Sequence, residues 1–179
     1  MKEPTLLTPD NCQLIIIDHQ PQMAFGVQSI DRQTLKNNVV ALAKAAKLYD
    51  IPTTITTVET TSFSGYTYPE ILEVFPEKTL LERTSMNSWD DQKVRDALAA
   101  NGQKNVIVAG LWTGVCNNGF AFAAMEEGGY NIFMVADASG DVSVDAHKYS
   151  SIVCSVVIGT TPAWTMRSME YLWASTETS

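Results

Sequence analysis

Apolar residues fall into two patterns along this chain. Short runs without polar interruption, such as Leu14-Ile15-Ile16-Ile17, alternate with longer stretches in which apolar positions recur every three or four residues. An uninterrupted run fits a strand buried on both faces, because a half-exposed strand would alternate apolar and polar side chains. Residues 13–18 therefore read as the first strand. Residues 35–48 follow as a helix, with Leu35, Val39, Leu42 and Ala46 on one face. The helix ends at Asp50-Ile51-Pro52, since proline drives its predecessor out of the α region. β-Branched residues mark 53–58 as the second strand. A polar loop (59–67) leads to a short helix at 68–75, with Pro69 in its first turn. Residues 79–83 form the third strand.

Ser88-Trp89-Asp90-Asp91 reads as a helix cap with acids in the first turn, and Asn101-Gly102 as the stop of the helix over 93–100. The fourth strand is 105–111, and the helix 116–127 stops at Gly128-Gly129. Residues 132–136 are the fifth strand, 144–157 a helix, 161–164 a short edge strand where Pro162 is tolerated, and 166–173 a closing helix. No repeat, linker or low-complexity segment interrupts the series.

Such β–α alternation predicts an α/β fold: a doubly wound, mostly parallel six-stranded sheet, order 3-2-1-4-5-6, with helices on both faces and one domain over 1–179. In that order the first and fourth strands lie side by side at the switch point, and ligands bind beyond their carboxyl ends.

Composition narrows the functional classes. The net charge is −8 and the pI about 4.6, which argues against nucleic-acid binding through a basic face. No apolar run is long enough to span a bilayer, and the N-terminal residues lack the pattern of a signal peptide, so a cytoplasmic protein is expected. The three cysteines, Cys12, Cys116 and Cys154, are far apart with no CxxC, so neither a disulfide framework nor a zinc ribbon is expected. Cys12 and Cys154 read as small buried hydrophobes.

Candidate chemistry gathers at the strand ends. Cys116 follows the fourth strand through Gly110-Leu111-Trp112-Thr113-Gly114-Val115 and opens a helix, where unpaired N–H groups and the helix dipole favour thiolate. It is either a nucleophile or a buried packing residue; as a nucleophile it should alkylate faster than Cys12 or Cys154. Asp18, after the isoleucines, is either a base for the thiol or a loop acid reaching water. Arg83 is either a solvated cation or a fixed positive charge, with no capacity to exchange protons. His19 and His147 lack clustered partners and read as surface or loop groups, so no metal or cofactor is expected. Phe25, Trp89 and Trp112 are core by default, but Trp89 and Trp112 also flank the candidate site. No GxSxG, GxGxxG or P-loop occurs.

With these residues in place, the chain resembles the isochorismatase-like cysteine hydrolase superfamily, in its small YcaC-type branch. Four segments carry the likeness in order: Ile15-Ile16-Ile17-Asp18-His19-Gln20, Arg83-Thr84-Ser85-Met86-Asn87-Ser88-Trp89, Ala109-Gly110-Leu111-Trp112-Thr113-Gly114-Val115-Cys116, and Val135-Ala136-Asp137-Ala138-Ser139-Gly140. The resemblance implies Cys116 as nucleophile, Asp18 as general base and Arg83 as the cationic member, where relatives more often have lysine. It further implies a cis peptide between Trp112 and Thr113, and an oxyanion hole from the Thr113 and Cys116 N–H groups. Gln20, Phe25, Trp89, Trp112 and Asn117 are the candidate substrate contacts. Gly114 stands where relatives often carry an acid, which suggests a looser loop. The 59–67 loop lacks the paired histidines of nicotinamidase-type relatives, so their metal is not expected.

The expected activity is metal-independent hydrolysis of a small amide or related C–N substrate through a thioester, by a homo-oligomer. Two alternatives stand: non-covalent vinyl ether hydrolysis of the isochorismatase type, and a non-enzymatic binding module on the same fold.

Overall fold

The computed structural model describes residues 6–158. Five parallel strands run in the order β3-β2-β1-β4-β5. They are β1 (Cys12–Ile17), β2 (Thr53–Val58), β3 (Leu81–Arg83), β4 (Asn105–Gly110) and β5 (Asn131–Met134). The helices are α1 (Pro21–Phe25), α2 (Arg32–Leu48), α3 (Pro69–Val74), α4 (Gln92–Asn101), α5 (Asn118–Glu126) and α6 (Val144–Ile158). The expected sixth strand and closing helix lie outside the described residues.

β1 is buried along its whole length, as an isoleucine run at the centre of a two-faced sheet must be. Its side chains alternate between two cores. Leu14 and Ile16 pack with Leu35, Val39 and Leu42 of α2 and with Ile71 of α3. Ile15 and Ile17 pack with Val94 and Leu98 of α4 and Phe120 of α5. Asp31 caps α2 by accepting from the Thr34 N–H at 2.8 Å, and Gly102 ends α4 at φ 78°. α1 was not anticipated, because its five residues are too few to show a period.

Register brings the strand ends together. Ile17 pairs with Gly110 on one side and Thr56 on the other, and Val58 pairs with Arg83. Gly110 is required there: a Cβ would lie 2.2 Å from Asn117 Oδ1 and 2.7 Å from the Ile17 Cβ. Among the described residues, no helix is long and apolar enough to cross a membrane.

Candidate active site

Asp18 is the first residue past β1. Its N–H donates to the Thr56 carbonyl, and its φ of 56° turns the chain away from the sheet. The left-handed region is accessible to aspartate at modest cost. The carboxylate is fully buried, and Arg83 reaches it from β3 with two parallel bonds, Nη1 to Oδ1 and Nη2 to Oδ2, both 2.6 Å. The fork geometry of guanidinium matches a carboxylate in this way and ammonium does not. Thr56 Oγ1 adds a bond to Oδ1 at 3.3 Å, and Arg83 also donates to the Thr57 and Met86 carbonyls, both at 3.2 Å. Burial opposes the charge on Arg83, but the hydrogen bonds and charge of Asp18 outweigh it and push its pKa up. Asp18 and Arg83 are thus neither solvated loop groups nor surface ions.

Cys116 joins this pair from the other side of β1. The chain leaves β4 through a cis peptide between Leu111 and Trp112, one bond before the Trp112–Thr113 position expected. It then forms a π-type turn over Thr113–Asn117 before α5 begins. The thiol is fully buried, and the charges of Asp18 and Arg83 both act on it. Its sulfur lies 3.9 Å from Met86 Sδ. Desolvation dominates its ionisation and the Asp18 charge adds to it; Arg83 opposes both without winning, and the pKa is pushed up to about 12. Burial removes the water that would solvate the anion and so opposes the thiolate that a helix terminus favours.

Several other expected contacts already have partners within the fold. The Thr113 N–H, expected in the oxyanion hole, donates to the Gly140 carbonyl at 2.9 Å. Gln20 is fully buried and clamps the end of β2 to the following loop: its amide donates to the Val58 and Gly65 carbonyls, and its oxygen accepts from the Val58 N–H. Asn117 donates to the Gly110 carbonyl and Ser139 Oγ, stapling the turn to β4. Trp89 belongs to the core, edge-on to Phe120 and Tyr130, with Nε1 donating to Glu127 at 2.7 Å. Trp112 is half-buried, packs over Gly26 and donates to the Met23 carbonyl. Phe25 is exposed and stacks with the Arg32 guanidinium. Gly114 does not loosen its loop. Its N–H donates to the Asp141 carboxylate at 2.7 Å, and a side chain there would meet Ser150 Oγ at 2.7 Å.

The histidines are placed differently from expectation as well. His147, half-buried on α6, sets Nδ1 2.8 Å from Thr113 Oγ1 and so touches the nucleophile turn. His19 is fully buried, with Nε2 2.9 Å from the Ala138 carbonyl. A carbonyl only accepts, so Nε2 carries the proton, and Nδ1 has no partner. Burial lowers the His19 pKa from 6.5 to about 4. A depressed folded-state pKa gives stability that is present above pH 6.5 and lost as pH falls through 4. Urea titrations at pH 7 and pH 4 should differ by roughly 3 kcal/mol on this account. In His19→Gln that difference should shrink correspondingly; an unchanged difference would assign the acid sensitivity elsewhere. Among the described residues, no group of three or more His, Cys, Asp or Glu side chains is arranged to hold a metal ion.

Comparison with known proteins identifies the family. Residues 12–159 match the model of the isochorismatase domain. The probable hydrolase YcaC of Escherichia coli (strain K12) is 36% identical over 135 residues, covering 75% of this chain and 64% of that protein's length. The crystal structure of the YcaC gene product from Escherichia coli, described as an octameric hydrolase of unknown specificity, superposes with a TM-score of 0.85 at 32% identity, over 90% of this chain and 78% of that one. YcaC from Pseudomonas aeruginosa, solved with hexane-2,5-diol and covalent acrylamide, gives a TM-score of 0.83 at 30% identity, over 88% and 77% of the two chains. From the matched domain and these likenesses, the chain belongs to the isochorismatase family, in its YcaC-type branch.

Proposed function

We propose that this protein is a cysteine hydrolase acting on a small amide or related C–N substrate without a metal. One observation carries the reading: a fully buried carboxylate, gripped at both oxygens by Arg83, acts with its charge on a fully buried thiol. A buried ion pair is expensive to desolvate and a poor stability device, so its retention beside a thiol suits chemistry better than packing. The covalent acrylamide of the Pseudomonas aeruginosa relative supports a reactive nucleophile on this fold, since acrylamide is an electrophile that captures a thiolate at its alkene. The whole chain is read as one such domain, cytoplasmic, and assembled with copies of itself like the octameric relative.

In the proposed cycle Asp18 takes the thiol proton as the sulfur bonds to the carbonyl carbon and the C=O electrons move onto oxygen. The Trp112 and Cys116 N–H groups receive that oxyanion in this reading, since the Thr113 N–H expected there is engaged by the Gly140 carbonyl. Protonated Asp18 then gives its proton to the nitrogen as the C–N bond breaks and ammonia or an amine leaves. Asp18 next deprotonates a water that attacks the thioester, and the departing sulfur recovers the proton. Arg83 holds the carboxylate in position and exchanges no proton.

A screen of small primary amides, hydroxamates and carbamoyl compounds should find release of ammonia, or of hydroxylamine from the hydroxamates, that Cys116→Ala abolishes. Turnover retained by Cys116→Ala would favour the vinyl ether reaction instead. Failure of Cys116 to react with any electrophile would favour a binding module.

A further inference from the structure

Met86 takes no part in that cycle, yet the structure sets it against the nucleophile. Cys116 has no exposed surface, while Met86 is 61% exposed, and their sulfurs are 3.9 Å apart with the thiol as donor. The backbone beneath Met86 is tied down: its carbonyl accepts from Arg83 Nη2 at 3.2 Å. The next residue, Asn87, accepts from the Trp89 N–H at 3.0 Å and lies against Gly119 of α5. The side chain itself is long, unbranched and largely in solvent, so it can change rotamer at little cost. An exposed thioether, on a backbone tied to the guanidinium that holds Asp18, therefore lies against a thiol with no exposed surface. The thiol hydrogen donates to Met86 Sδ, and the charge of Asp18 acts on the same sulfur.

We propose that Met86 is the gate of the Cys116 thiol: a substrate reaches the sulfur by displacing the Met86 thioether, and the same displacement leaves the Asp18 carboxylate as the remaining acceptor for the thiol proton. Entry and activation are then one event, and the space the thioether vacates limits what enters. This rests on Cys116 as the reactive sulfur, but not on any particular hydrolysis.

The test is the rate at which iodoacetamide labels Cys116 in the full chain, read by peptide mapping with Cys12 as internal reference. Met86→Ala should label about tenfold faster, the factor set by an open population of about one in ten. Met86→Phe should label slower, and Met86→Leu, which keeps a cover of similar length, should stay within about twofold. The bulkier N-ethylmaleimide should gain more from Met86→Ala than iodoacetamide does. Equal rates across the series, no labelling of Cys116 in any variant, or a parallel rise at Cys12 that marks general loosening would each overturn the gate. The hydrolase reading fails separately, on activity retained by Cys116→Ala.

Discussion

Asp18→Asn should abolish amide hydrolysis, with a loss of about 10³-fold or more, and should also destabilise the fold. The first effect follows from removing the group that accepts the thiol proton and later the water proton; general-base contributions of about 10²–10⁴ are usual, and here one carboxylate serves twice. The second follows from stranding Arg83. Its guanidinium is buried, and Nε already has no partner. Removing the counter-charge of a buried pair costs roughly 3–5 kcal/mol, because the surviving ion stays desolvated. Denaturant melts of Asp18→Asn and of Asp18→Asn with Arg83→Met separate the two effects. The double variant should recover much of the stability and none of the activity. An Asp18→Asn protein that hydrolyses its amide within about threefold of the native rate would remove Asp18 from the chemistry.

Alkylation of Cys116 without substrate should rise about tenfold per pH unit from pH 7 to 9.5, with no plateau, because the thiolate is the reacting species and the thiol pKa stands at about 12. That amounts to more than two orders of magnitude over the range. A nucleophile ionised at rest would level off near neutral pH. The same raised pKa has a consequence for stability. A thiol that folding pushes up from 9.0 to about 12 contributes stability that is full below pH 9 and is lost as pH rises toward 12. Cys12, raised to about 11 by burial, follows the same sign, so peptide mapping rather than total thiol titration must assign the rate. A plateau at Cys116 below pH 8 would refute the neutral resting thiol.

These two expectations differ from the sequence reading at one point, the charge state of Cys116. A cysteine at a helix start reads as electropositive, and the field of Arg83 does act in that direction. What the sequence does not show is that Asp18 neutralises the guanidinium at both nitrogens, or that burial is complete. Electrostatic outcome depends on the sum of surroundings, whereas a motif names only the members.

Most of the architecture was legible because it follows from local periodicity. The unbroken run Leu14–Ile17 could be satisfied only between two layers, which made β1 central, and β–α alternation then placed β4 beside it and brought Asp18, Arg83 and Cys116 to one edge. Tertiary structure decided which polar atoms remain available for chemistry. Gln20 is used up by Val58, His19 Nε2 by Ala138, and the Thr113 N–H by Gly140, partners 38, 119 and 27 residues distant. Periodicity reports whether a residue is buried, since burial repeats with the element; a hydrogen-bond partner arrives from another element and leaves no periodic trace. The same reason explains why Met86, an apolar residue in an irregular bend, gave no signal in the sequence: only the packing of that bend against Cys116 sets it over the thiol.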